Sequence, residues 1–223
     1  MNTSNLTKPV ADAADARTCG DESVDAGRGP GQIPWYRYVA EQRAGTSILD
    51  AGCGLGFGLQ VLRDAGCDAT GQDVDPRLES EHVRISPLSA FAAKSVDTVI
   101  AIDVIEHVED PEEFLASMAR IARRDLFLTT PNWTAGKCTW PYHLREYTPK
   151  QWDDLLSPFG DVELLKGNQE GSVRWPVKRR GFYFAFNDVR VLPVLAFPAR
   201  CWNNVIPRPW RLYGHNAAWV KLS

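Results

Sequence analysis

The chain has 223 residues, 44% hydrophobic and 24% charged, with a formal charge of -3 and a pI near 5.8. Those values exclude wholesale disorder and a membrane-spanning architecture, give room for one well-buried domain rather than two, and supply no general electrostatic pull toward nucleic acid. A small molecule is the expected partner, and five scattered cysteines (Cys19, Cys53, Cys67, Cys138, Cys201) without CxxC spacing argue against a disulfide framework or structural zinc and fit a cytoplasmic location.

Residues 1–31 carry few large apolar side chains, several glycines and no stretch of signal-peptide character. They are expected to form a flexible arm ahead of a single domain at 32–223. Trp35, Tyr38 and Val39 fall at i, i+3 and i+4 and predict a helix. Its aromatics either pack on a sheet or, with Tyr36 and Arg37, close over a bound ligand. Short apolar runs then alternate with amphipathic segments, the pattern of a parallel sheet covered by helices on both faces. Strands are expected at 47–50, 69–73, 83–86, 98–102 and 126–130. A helix should open at Asp110, with Pro111 in its first turn, a capping box to Glu113, and Phe114, Leu115, Met118, Ile121 and Ala122 as its buried stripe. Two further strands are expected at 161–165 and 217–222.

The first strand runs into Asp50-Ala51-Gly52-Cys53-Gly54-Leu55-Gly56. Glycines between a strand and a helix let backbone approach a ligand closely, which suits dinucleotides as well as other nucleosides. The whole segment from Ile48 to Gly56 resembles the cofactor loop of class I S-adenosylmethionine-dependent methyltransferases. That resemblance implies an α/β, Rossmann-like seven-stranded sheet with helices on both faces, closed by an antiparallel pair, and makes 169–214 an insertion before the last strand. It implies S-adenosylmethionine as cofactor, with Gly52, Gly54 and Gly56 forming the loop, Gly52 and Gly54 lining the methionine end and Asp50 holding the amino group.

About twenty residues on, the second strand ends in Asp73, where a carboxylate can accept both ribose hydroxyls, while Asp75 before Pro76 reads as a helix cap. Family members often carry an acidic residue after the third strand to bind adenine. Here that stretch reads Arg84-Ile85-Ser86-Pro87-Leu88-Ser89, so Ser86 or backbone carbonyls are expected to take that part. Cys53 reads as a small packing residue.

The fourth strand runs into Asp103-Val104-Ile105-Glu106-His107, and the spacing i, i+3, i+4 predicts Asp103, Glu106 and His107 on one helical face. His143 follows in His143-Leu144-Arg145-Glu146-Tyr147-Thr148-Pro149. The set is similar to the Glu-x-x-Glu-His motif and distant histidine of ubiquinone-pathway and small-RNA O-methyltransferases, with Asp103 in place of the first glutamate. The resemblance implies a divalent metal (Mg, Mn or Zn) on Asp103, Glu106, His107 and His143. The alternative is a metal-free site in which Asp103 touches cofactor and Glu106, His107 or His143 does acid–base work. His82 and His215 read as surface or structural.

In 169–214, Trp175, Trp202, Trp210 and the basic residues Arg174, Lys178, Arg179 and Arg180 suit acceptor binding or an interface, with peripheral membrane contact a further option. The apolar run 191–197 is too short to span a bilayer. The expected activity is O-methylation of a small acceptor such as a catechol, sugar diol or natural-product hydroxyl. The alternatives are a metal-dependent RNA ribose 2′-O-methyltransferase and a cofactor-binding partner protein without catalysis. Oligomeric state has no signature in the sequence.

Overall fold

A computed structural model describes residues 32–132, 143–189, 201 and 203–223. The arm at 1–31, the run 191–197, Cys19, Cys138 and Trp202 lie outside the described residues.

Helix α1 (Ile33–Arg43) precedes β1 (Ser47–Ala51), α2 (Phe57–Asp64), β2 (Asp68–Asp73), β3 (Val83–Ile85), β4 (Val96–Ile102), α3 (Pro111–Ile121) and β5 (Ala122–Pro131). Then come α4 (Pro149–Leu156), β6 (Gly160–Gly167), β7 (Arg174–Pro176), α5 (Arg180–Val189) and β8 (His215–Leu222). The strands form one sheet in the order β3-β2-β1-β4-β5-β8-β6-β7. The pairs among β1 to β5 are parallel, and β8 runs antiparallel between β5 and β6. All seven expected strands are present. The eighth, β7, is a three-residue edge strand inside the segment expected to be an insertion.

The central strands are apolar on both faces because each face is covered. Val99 and Ala101 of β4 join Leu49, Leu126, Leu115, Met118, Trp152 and Leu156 on one side. Their alternates Ile100 and Ile102 join Ile48, Phe127, Trp35, Tyr36, Leu59 and Leu62 on the other. Alternation along β4 thus sends successive side chains to the α3/α4 face and the α1/α2 face.

Asp110 caps α3 by accepting from Glu113 N at 3.0 Å, and Leu115, Met118 and Ile121 are buried as expected. Two details differ. The reciprocal capping box forms at Thr148 and Gln151 of α4, and Ala122 is the first residue of β5 because the helix ends at Ile121. Asp75 caps the short 3-10 turn Pro76–Leu78 and pairs with Arg77 at 2.6 Å. Cys53 is buried against Gly71, where a Cβ would meet its sulfur at 2.6 Å, so its packing role stands. None of Cys53, Cys67 and Cys201 is in a disulfide. Among the described residues no helix is long and apolar enough to cross a membrane.

Candidate active site

The cofactor loop leaves β1 with Gly52, Gly54 and Gly56 at φ of +70°, +59° and +76°, a conformation that side-chain-bearing residues rarely adopt. A Cβ on Gly52 would lie 2.7 Å from Val104 Cγ1, so the loop also packs directly under the tip of β4. Asp50, fully buried, accepts from the Tyr36 hydroxyl at 2.9 Å. The ring of Tyr36 reaches it by passing over Gly58, where any Cβ would collide with it. The α1 aromatics therefore pack on the sheet. Arg37 is exposed.

Asp73 ends β2 beside this loop. Its Oδ2 accepts from Gly54 N at 3.0 Å and its Oδ1 from Val74 N at 2.7 Å and Asp75 N at 3.2 Å. Gln72 donates to the Ser86 carbonyl at 2.6 Å, tying the third strand's end to the loop, and Ser86 Oγ is buried with no hydrogen-bond partner among the described residues. A glycine cradle, a carboxylate at the end of β2 and a buried hydroxyl just after β3 together fit an adenosyl group.

Beyond β4 the chain separates residues that helical spacing would have joined. Asp103 has φ +53°, in the left-handed region, and lies outside the 3-10 turn Ile105–His107. Its carboxylate accepts from His215 Nε2 at 2.6 Å, from the Thr129 hydroxyl at 2.6 Å and from Gln32 Nε2. Burial disfavours its charge, but His215, Thr129 and Gln32 outweigh that and hold the Asp103 pKa down at about 2. Asp103 is thus absent from the metal-competent cluster expected to include it, because the left-handed turn aims it at β5 and β8. His215, read as surface or structural, is buried with 1% exposure, stacked on Trp35, and bonded through Nε2 to Asp103. His82 is exposed.

The remaining three residues do meet. Glu106, His107 and His143 each offer a ligand atom, all within 4.8 Å of one another. The carbonyl of Glu106 accepts from Leu144 N at 2.8 Å and Arg145 N at 3.3 Å, which brings the distant His143 segment to the β4 tip. Thr130 Oγ1 donates to Glu106 Oε2 at 3.2 Å, and the His107 and His143 rings meet edge to face with centroids 4.9 Å apart. His143 Nδ1 lies 2.8 Å from Glu146 Oε1, a contact that fixes the orientation of the ring. Two imidazoles and a carboxylate make a donor set suited to a divalent ion, and equally to proton transfer.

Residues 34–183 match a family described as methyltransferase domain. The chain belongs to this family. A probable S-adenosylmethionine-dependent methyltransferase of Mycolicibacterium smegmatis is 31% identical over 156 residues, covering 61% of this chain and 60% of that protein. The human mitochondrial ubiquinone biosynthesis O-methyltransferase is 27% identical over 151 residues, covering 56% of this chain and 41% of that one. The alignments thus span about three fifths or less of these relatives' length. Among solved structures, the plantazolicin methyltransferase bound to a desmethyl substrate analogue and S-adenosylhomocysteine aligns with TM-score 0.59 and 15% identity over 95% of both chains. A methyltransferase from Archaeoglobus fulgidus aligns with TM-score 0.54 and 17% identity over 87% of this chain and 95% of that one. The fold is that of the Rossmann-like class I methyltransferases.

Position in the sequence did not mark Gln32, Thr129 or His215 as members of the site, and it offered Tyr36 as a lid over the ligand rather than as the partner of Asp50. Only the convergence of α1, β5 and β8 on the β1 and β4 tips brings them there. The basic group in 169–214 is less free than its sequence suggested, since Arg180 pairs with Asp153 at 2.9 Å and also donates to the Val162 carbonyl.

Proposed function

We propose that the protein transfers a methyl group from S-adenosylmethionine to a hydroxyl of a small-molecule acceptor. The observation that carries this reading is the Glu106, His107 and His143 cluster, held beside a glycine loop that fits an adenosyl group. S-adenosylmethionine supplies an already electrophilic methyl, so the chain's work is to position the acceptor oxygen and take its proton.

His143 is the base. Glu146 on Nδ1 orients the ring, and the imidazole takes the acceptor proton as the oxygen–methyl bond forms. Asp50, Gly52, Gly54, Gly56, Asp73 and Ser86 hold the cofactor. Asp103 contributes by fixing the β4 tip above the loop. Residues 169–214 border the acceptor, with β7, α5 and the 3-10 turn Arg208–Trp210 among its described parts. O-methylation is supported by the relatives named for ubiquinone biosynthesis O-methylation and by the nature of the cluster.

A second reading uses the same three side chains to hold Mg²⁺, Mn²⁺ or Zn²⁺, which would acidify and orient the acceptor hydroxyl. The two readings give His143 different roles, base in the first and ligand in the second. Calorimetry with S-adenosylhomocysteine, followed by a labelled-methyl screen of catechols, sugar diols and a short RNA, separates them. Tight cofactor binding with methylation of a small hydroxyl unaffected by chelator supports the base mechanism. Chelator-sensitive turnover would move His143 to the metal, methylation confined to RNA would replace the acceptor class, and binding without any turnover would refute the enzyme reading.

A further inference from the structure

Lys166 lies next to the end of β6, with Val162 and Leu164 on the α3/α4 face of the sheet. The pattern of that face calls for another apolar residue, yet it carries an ammonium with only 5% of the residue exposed. Its Nζ lies 4.5 Å from the centroid of the Tyr183 ring on α5. Its register neighbours are the neutral Asn216 on β8 and Trp175 on β7. Among the described residues neither a carboxylate nor a hydrogen-bond acceptor partners it, and burial alone lowers its pKa, to about 8.

A second donor stands beside it. Paired residues in an antiparallel ladder share a face, so Trp175 projects with Lys166, and the indole Nε1 is buried with no hydrogen-bond partner. A ring face attracts an ammonium but accepts none of its directed hydrogen bonds well, and it offers nothing to the edge of an indole. Two adjacent buried donors, one cationic, with no acceptor bonded to either among the described residues describe a place for an oxyanion.

The position relates this place to the reaction centre. Lys166 pairs with Asn216, which pairs with Thr130, whose hydroxyl donates to Glu106. Two strand spacings, about 10 Å, therefore separate Lys166 from the strand that supports the base cluster, on the same face of the sheet. We propose that Lys166 and Trp175 bind a carboxylate of the methyl acceptor, making the preferred substrate a hydroxylated acid. The identification of the ligand as acceptor rests on the function proposed above; the oxyanion site itself does not.

The site is tested on the full chain labelled at lysine Nζ and Cε, with Lys166 assigned by its loss in Lys166→Met. Benzoate is the probe for the anion. It should shift the Lys166 resonance saturably and raise its titration midpoint toward that of an ordinary lysine, because the anion favours the charged form. Trp175→Phe, which keeps a ring and removes the N–H, should weaken benzoate binding several-fold. An unchanged Lys166 resonance at tens of millimolar benzoate would overturn the site. Kinetics then address the acceptor, with 3,4-dihydroxyphenylpropanoate compared with its neutral amide. Lys166→Met should raise KM for the acid by roughly tenfold or more, the loss expected for a hydrogen bond to a charged group, and leave the amide unaffected. An equal effect on both acids and amides would overturn the acceptor assignment. If neither compound is methylated while benzoate still titrates Lys166, the proposed function fails and the oxyanion site stands.

Discussion

Asp103 and Glu106 leave the same strand tip three residues apart and end on opposite faces of the sheet. Asp103 bonds to Thr129 and His215 on the face covered by α1, whereas Glu106 bonds to Thr130 on the face covered by α3 and α4. Thr129 and Thr130 are successive residues of β5, so their side chains point to opposite faces, and each carries one acidic partner with it. The Asp103 side is a closed network in which a buried histidine, a hydroxyl and an amide share one carboxylate. The Glu106 side gathers three potential ligand atoms within 4.8 Å of one another. Similar chemistry thus fixes the backbone beside the glycine loop on one face and, in the function proposed above, supplies the reactive groups on the other.

Replacing His143 by Ala should break the difference most sharply. The loss of a positioned base costs about a hundredfold to ten-thousandfold in kcat, while the affinity for S-adenosylhomocysteine by calorimetry should not change. Replacing Asp103 by Asn should do the reverse. Breaking one partner out of a buried pair costs about 3–5 kcal/mol, read by urea unfolding, and the folded fraction should retain catalysis that the His143 variant lacks. Equal loss of stability in both variants would erase the distinction between the two faces.

The acid limb of stability sharpens it further. Asp103 has its folded pKa depressed to about 2, so its contribution is fully present above the ordinary aspartate value of about 4 and is lost as pH falls from there toward 2. Asp103→Asn should flatten that part of the pH–stability curve. The smallest effect is expected at Gln32, whose amide donates to the same carboxylate from the start of α1. Gln32→Ala should cost about 1 kcal/mol in the same unfolding measurement, since His215 and Thr129 still hold Asp103.

Much of the fold was legible because strand alternation, glycine turns and helix caps are local devices. The runs at 47–50, 69–73, 83–86, 98–102 and 126–130 correspond to β1 to β5, and Asp110 and Asp75 cap where their neighbours indicated. The spacing at 103–107 misled because it presumed a helix of one continuous turn. Asp103 instead takes a left-handed conformation before a short 3-10 turn, and no periodicity reports a single residue's φ. Glu106, His107 and His143 were identified from motif and do converge, although what joins His143 to the others is a pair of backbone bonds to the Glu106 carbonyl.

The sequence by itself determined the layered α/β architecture, the glycine loop and the types of residue available at the strand tips, since these follow from short-range patterning. Only the tertiary structure decided which of those residues share a face. It gave Asp103 to His215 across 112 positions and Tyr36 to Asp50, and it set Lys166 beside Trp175 at a buried edge. Pairing of that kind depends on strand order and on the direction in which each strand is entered. Those are properties of the assembled sheet, and no segment carries them alone.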